Sequence, residues 1–395
     1  MTAVSCVAMA STPRPALQER AYPAARIVAP DLHAHFARHR EEFRRHRTDA
    51  VADLPDAEAI AAVIDAAFWA SLRREEGYIP KISLALVSQE QATRPMIFER
   101  PLPLDPALLA KVAPAVERAG IHLGVWDRGD GLLVWGTVTA IPAICLVLEV
   151  AAPGLLVVKH HRGEESGKFV NIAVLEGDRI KMIDERASSL PDCPALLSSL
   201  LGFDAPSSWI ESGNLLVQLA VSMRAHGRGG SMLIVPAASD TWRESIVRPI
   251  LYAATPPFTG LAELNQVGSD ERGERWWQDE LARTVSAVAG LTEVDGATIL
   301  TSDYSLLGFG AKIIRRKGWP LVERVTVTEP IVGGVAAEVE PSQLGGTRHL
   351  SAAQFVQDQH DSVALVASQD GRFTIFAWSP CEDTVHAHRV ETLLI

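Results

Sequence analysis

Cysteine is scarce in this chain and nowhere clustered. Cys6, Cys145, Cys193 and Cys381 are the four cysteines in 395 residues, and no two form a CxxC pair. That spacing suggests neither a disulfide framework nor a cysteine zinc site. The expectation is reduced thiols in a cytoplasmic protein. Basic charge is also in short supply. The chain has 37 Lys and Arg against 48 Asp and Glu, a formal net charge of −11. This balance argues against broad, non-specific nucleic-acid binding and leaves room only for a local basic patch. Long apolar runs are missing too. The longest candidate, IPAICLVLEVAAPGLLVV at 141–158, contains Glu149 and two prolines. It reads as two buried strands around a Pro-Gly turn, not as a membrane span. The opening MTAVSCVAMASTPRP has no basic n-region, so no secretory leader is expected. Residues 1–25 read as a flexible tail.

The remaining composition is that of a soluble globular protein, with 47% hydrophobic and 22% charged residues. The length suits two or three domains. DLHAHFARHREEFRRHR, at 31–47, predicts a helix with Asp31 as a possible N-cap. It carries His33, His35, His39 and His46. The i,i+4 pair His35 and His39 could share one face for a metal, but no acidic or cysteine partner stands nearby. A solvated, charged helix is the commoner reading of such a stretch. A second helix is predicted at 56–76, with Gly77 after its last turn. A strand follows at 81–89, then a helix at 105–118 with Pro106 in its first turn.

From residue 121 short β-branched and aromatic runs alternate with Gly, Pro and Asp turns. IHLGVWD, GLLVWGTV, AICLVLEV, GLLVVKHH, KFVNIAVLEGD and RIKMIDE predict an antiparallel, β-rich domain ending near 187. The charged KHHRGEESGK at 159–168 reads as a solvated hairpin loop, with a regulatory ligand as the rarer alternative. The turn-rich segment 188–208 reads as a connector. Beyond it a helix is predicted at 212–227, a buried strand at 230–236 and mostly helix over 240–290. Strands return at 296–301, 321–330, 363–368 and 372–378. The expected organisation is a tail (1–25), an α+β, β-rich domain (26–187), a connector (188–208) and an α/β or α+β domain (209–395). The last of these should hold a central mixed sheet flanked by helices.

Three pieces of the C-terminal half carry chemistry. Asp295-Gly296-Ala297 sits at the entrance to a strand. A carboxylate there can hold Mg²⁺ or Mn²⁺, and glycine lets a phosphate approach the backbone, although Asp-Gly is also ordinary turn chemistry. LGGTRHLSA, at 344–352, offers backbone N–H groups, a hydroxyl, a guanidinium and an imidazole, a set that binds phosphates. A helix predicted to start at Ser351 would point its N-terminal dipole at that loop. The plainer reading is a β-turn leading to a helix cap. The third piece is an apolar strand ending in Ser368-Gln369-Asp370-Gly371, on its own a hairpin with an Asp-Gly turn.

In this order, DGA, GTRH about fifty residues on, then a strand ending in a Ser-acid turn, the chain resembles the diadenylate cyclase domain. This is the nucleotide-binding domain of DNA-integrity-scanning proteins and related cyclases. The helix and strand LAVSMRAHGRGGSMLIVP resemble the start of that domain, so the likeness covers about residues 207–380. The N-terminal half resembles the sensor region that accompanies this domain in some bacterial proteins, through AAFWASLRREEG and the strands from GIHLGVW to GKFVNIAVLEGD.

The resemblance implies condensation of two ATP molecules into cyclic di-AMP with release of pyrophosphate, using Mg²⁺ or Mn²⁺ and regulated by the N-terminal domain. Asp295 would hold the metal near the attacking hydroxyl, and Gly296 and Ala297 would admit the nucleotide. Gly346, Thr347, Arg348, His349 and Ser368 would grip the phosphates. Two such domains face each other in the family, so a homodimer or higher homo-oligomer is implied, with an unidentified regulator for the N-terminal domain. Two positions depart from the pattern. Leu350 stands where the usual GTRHR loop has its last Arg, and Gln369-Asp370 where Ser is usually followed by two Glu. Loss of one charge-assisted hydrogen bond, about 1.5–3 kcal/mol, slows a reaction roughly ten- to a hundredfold if the bond forms in the transition state. Lys312, Arg315, Arg316 and Lys317 are candidates for a substitute cation, and equally a solvated basic run. The alternative is a catalytically weak or inactive nucleotide-binding signalling protein that senses ATP or a cyclic dinucleotide. A third reading is another nucleotidyl-transfer enzyme on the same scaffold.

Overall fold

The computed structural model describes residues 21–46, 50–127, 129, 131–161, 169–184 and 215–395. They form two mixed sheets with helices against them, the α+β organisation the sequence pattern predicts. Residues 162–168 of the charged loop and the whole 188–208 connector lie outside the described residues. No helix among the described residues is long and apolar enough to cross a membrane.

The first helix runs Pro23–His46 and begins eight residues before Asp31. Its early start has a packing cause. Ala24, Ala25, Val28, Ala29, Leu32 and Phe36 recur at helical spacing and are all buried. Residues 23–25 are therefore helix and not tail. His35 is buried as well, its ring centroid 4.3 Å from that of His39 and 6.0 Å from that of His160. One face of this helix is thus packed, not solvated. Among the described residues no group of three His, Cys, Asp or Glu is placed to hold a metal. The second helix, Ala57–Ser71, is capped by Asp56, whose carboxylate accepts the Ala59 N–H at 2.6 Å. It stops at Ser71 because the chain then folds into a tight turn. Glu75 and Tyr78 exchange backbone hydrogen bonds across Glu76 and Gly77, both at positive φ.

The strands of the first sheet are β1 (Ser83–Leu86), β2 (Met96–Pro103), β3 (His122–Asp127), β4 (Leu132–Val138), β5 (Leu146–Ala152), β6 (Leu155–His161), β7 (Phe169–Glu176) and β8 (Arg179–Met182). Their spatial order is β2-β4-β3-β1-β5-β6-β7-β8. The sheet is not wholly antiparallel, because β1 runs parallel to β3. The connection between them passes through the Pro106–Val112 helix, capped by the Asp105 carboxylate. Leu84 and Leu86 face the two long helices, while Ala85 and Val87 face a second cluster around Trp135. Gly124 lies directly under that tryptophan, since a Cβ there would meet the ring at 2.3 Å.

The second sheet contains β9 (Gly230–Val235), β10 (Tyr252–Phe258), β11 (Ala297–Thr301), β12 (Leu306–Ala311), β13 (Val325–Thr328), β14 (Ala337–Val339), β15 (Val363–Ala367), β16 (Phe373–Ser379) and β17 (Thr384–Arg389). The order is β10-β12-β11-β9-β15-β16-β17-β13-β14. β10 replaces part of the helix expected over 240–290. It carries Pro256 and Pro257, which lack N–H donors, and it occupies an edge, where prolines are tolerated. All six residues of β9 are buried. One face packs against the helices Leu215–Ala225 and Arg275–Leu291, the other against the helix Thr347–Asp358.

β17 places His386 and His388 at full burial inside this layer. The His388 Nδ1 meets the Thr328 hydroxyl at 2.7 Å, and its Nε2 has no partner among the described residues. Burial pushes His388 down to about 3 and His122, behind Ser83, down to about 4. Both are neutral in the folded protein, while in the unfolded chain they titrate near 6.5. Below about pH 6.5 the unfolded chain therefore takes up protons that the fold refuses, and stability falls toward pH 3–4. Thermal melts from pH 7.5 to 4 should show a falling midpoint, with a shallower slope in His388→Gln. Identical slopes in the two proteins would exclude this origin.

Candidate functional site

Asp295 lies in the turn after the Arg275–Leu291 helix, one residue, Gly296, before β11. Since β11 runs parallel to β9, with Ala297 paired to Ser231, Asp295 lies at the edge where β9 begins. β15 runs antiparallel to β9 and its last residue, Ala367, pairs with Gly230. Ser368 therefore emerges at the same edge. The helix Thr347–Asp358 runs back over the sheet so that its N-terminus overhangs this edge as well. The result is an open cleft of about 390 Å³ lined by Asp295, Gly346, Thr347, Arg348, His349, Val366, Ala367, Ser368 and Gln369. That size is within the roughly 300–1,000 Å³ of small-molecule sites.

Thr347, Arg348 and His349 are not a loop before a helix starting at Ser351. They are its first turn, with Gly346 as N-cap and no side-chain cap. The extra turn forms because Gly346 has an extended backbone that opens the helix, and His349 N–H already bonds back to Gly346 O at 3.0 Å. The Thr347 and Arg348 N–H groups point out of the helix with no acceptor among the described residues, as first-turn amides do. Dipole and free donors together make this end attractive to an anion.

The two sequence glycines have different reasons. Gly296 has φ +113°, and a Cβ there would lie 2.4 Å from the Gly310 carbonyl carbon. It is needed for the close passage of β11 and β12 and does not line the cleft. Ala297 is likewise sealed inside β11. Gly345 makes room for the His349 ring, whose Nδ1 would lie 2.4 Å from an added Cβ.

Charge in the cleft is arranged in one sense. Lys312 Nζ donates to Asp295 Oδ2 at 2.5 Å, and this bond, with the Lys312 and Arg348 charges, holds the Asp295 carboxyl below the usual range. Arg348 is half-buried beside Gly229, Ala367 and Gln369. His349 is 3% exposed, and its Nε2 has no partner among the described residues. Burial pushes its pKa down, more than Asp370 raises it, so it is neutral near pH 7. Arg348 and Lys312 are thus the cations at the cleft. Of the other basic candidates, Arg316 is turned away, its Nε on Glu244 at 2.6 Å and its guanidinium 4.9 Å from the Trp319 ring. Leu350 is exposed on the helix and does not line the cleft.

One rim was not legible from the motifs. Gly229 lies within reach of Arg348, and Gln369 Nε2 donates to Arg228 O at 3.3 Å. The HGRGG stretch at 226–230 therefore lies behind two of the lining residues, Arg348 and Gln369. Its run of glycines was the available signal. For a divalent cation the cleft offers a single carboxylate. That suits an ion that arrives on a polyphosphate and keeps most of its own waters, not an ion caged by protein.

Residues 49–139 match the family described as "Probable sensor domain DACNV". The match spans the second helix, β1, β2, the Pro106–Val112 helix, β3 and β4, so the first sheet carries a sensor-like segment. A comparison with curated proteins finds no match.

Replacing Lys312 with Met should raise the Asp295 carboxyl toward its ordinary value near 3.9, read by NMR titration of the side-chain carbon. An unchanged titration would show that Lys312 does not govern it.

Proposed function

We propose that the cleft binds ATP through its phosphates and condenses two ATP molecules into cyclic di-AMP, under control of the sensor-like N-terminal sheet. The observation that carries this reading is the convergence of Asp295, the Thr347–His349 turn and Ser368 on one cleft. The match to a sensor family associated with diadenylate cyclases supports it independently.

In each half-reaction a ribose 3′-oxygen attacks the α-phosphorus of the other ATP. The O3′–P bond forms as the hydroxyl gives up its proton to solvent, the bond from the α-phosphorus to the α,β-bridging oxygen breaks, and pyrophosphate departs with that oxygen. Positioning and charge stabilisation supply most of such catalysis. The Thr347 and Arg348 amides, the Thr347 hydroxyl and the Arg348 guanidinium would hold the phosphates at the helix N-terminus. Neutral His349 would donate one N–H and accept no phosphate charge. Ser368 would contact the phosphates from the β15 end. Asp295, kept ionised, would orient the attacking hydroxyl. It would also hold Mg²⁺ or Mn²⁺, which when bound would neutralise developing phosphate charge. Because each chain would hold one ATP, two chains would face each other as a homodimer.

Leu350 and Gln369 favour a second reading, a nucleotide-binding signalling protein with weak or no turnover. Purified protein with ATP and Mn²⁺ or Mg²⁺, analysed by mass spectrometry, separates the two. Cyclic di-AMP should form, Asp295→Asn should lower its rate by at least about a hundredfold, and Leu350→Arg should raise it about ten- to a hundredfold. ATP binding without product at high enzyme concentration would sink the cyclase reading and leave the second.

A further inference from the structure

Residues 390–395 cross from the second sheet onto the first. The Asn171 amide on β7 donates to the carbonyl oxygens of Thr392 and Ile395 at 3.0 and 3.1 Å. Beside it lies an ionic cluster drawn from both sheets. Lys181 on β8 reaches Glu329 Oε1 at 2.5 Å and stands 3.7 Å from Glu391 Oε1, which also receives Arg389 at 2.9 Å. These side chains are largely buried, and Glu391 Oε2 has no partner among the described residues. Backbone bonds join the sheets at the same place. Asp184 N–H donates to Pro330 O at 3.0 Å and Val332 N–H to Met182 O at 2.8 Å.

The segment continues to the cleft by two routes. Val390 N–H donates to Phe373 O at 2.9 Å, directly after the Ser368–Gly371 turn. Val390 and Leu394 pack against Leu216 and Ala220 of the Leu215–Ala225 helix, and Arg224 of that helix donates from Nε to Gly371 O at 2.9 Å. The helix that carries Arg224 is thus packed against the residues that flank Glu391, and burial lowers the guanidinium pKa while the Glu391 carboxylate raises it. A hydrogen bond from a guanidinium to a turn carbonyl fixes where that turn sits.

We propose that Lys181, Glu391 and Arg224 form a positioning relay, through which the first sheet sets the placement of the Ser368–Gly371 turn at the cleft. None of the three lines the cleft. Any ligand or partner that shifts β7 and β8 would act on Ser368 through this strap, because buried charges exchange partners and do not stretch. The functional meaning of the relay rests on the nucleotide reading above. The mechanical link does not.

Amide hydrogen exchange by mass spectrometry on the full chain tests the link. Lys181→Met and Glu391→Gln should raise exchange at 368–372 about tenfold while the Pro23–His46 and Ala57–Ser71 helices keep wild-type protection. Arg224→Gln should do the same, and Lys181→Arg should restore protection. ATP affinity should weaken about three- to tenfold in the first three variants. Unchanged exchange at 368–372 in Glu391→Gln, the isosteric variant, would overturn the relay. So would a rise spread evenly over the chain. If ATP fails to bind wild type while exchange at 368–372 still responds, the nucleotide reading falls and the relay stands.

Discussion

The complete burial of β9 is the constraint on which the C-terminal half depends. A strand with six buried residues needs a layer on each face. It receives Leu215–Ala225 and Arg275–Leu291 on one side and Thr347–Asp358 on the other. With β11 parallel and β15 antiparallel to it, the start of one neighbour and the end of the other fall at the same edge. The covering helix has 12 residues, about 18 Å at 1.5 Å each. The five residues of β15 and the short connection before it span a comparable length. The helix N-terminus therefore returns over the end of β15. Cleft formation follows from strand order and helix length, before any side chain is considered.

Electrostatics then shape what the edge can hold. Among the described residues Asp295 is the one carboxylate lining the cleft; it is tied to Lys312, and Arg348 lines the same cleft. Two cations and two free amides stand at this edge, with the neutral His349 imidazole buried behind them. A polyanion meets donors on most sides and one acidic group, at which a metal ion or a hydroxyl could be held. This asymmetry distinguishes the cleft from a general cation site, for which too few oxygens converge among the described residues.

Much of this was legible because the signals were local. Asp56 and Asp105 cap the helices they precede, and the apolar runs from 121 to 182 each became a strand. The motif residues Asp295, Thr347, Arg348, His349 and Ser368 were read on strand ends and beside a helix start, where they lie. Long-range causes were not legible. Gly296 resembled a glycine for ligand approach, but Gly310, fourteen positions on, dictates it. β17 reads as polar, TVHAHR, because two of its buried residues are histidines, His388 held by Thr328 sixty positions away and His386 by Glu382 just before the strand. The edge strand β10 was hidden by its prolines, and the strap of 390–395 by a separation of more than two hundred residues from Asn171.

Leu350 can be weighed with the helix start now moved to Thr347. It is three residues beyond Thr347, so the two side chains are neighbours on the helix surface. Helical side chains lean toward the N-terminus, which aims a long residue at 350 back over the first turn and toward the cleft. Leucine is too short to reach it and carries no donor, and 40% of it remains exposed to solvent. The position is therefore oriented toward the cleft but chemically silent. Packing does not demand an apolar residue there, since the helix buries its other face through Ala352, Ala353, Phe355 and Val356. Leu350 leaves the outer rim uncharged, while the inner donors of Thr347 and Arg348 remain. Under the nucleotide reading proposed above, binding would rest on the inner donors, and the absence of a rim cation would be felt most where charge builds up during bond breaking.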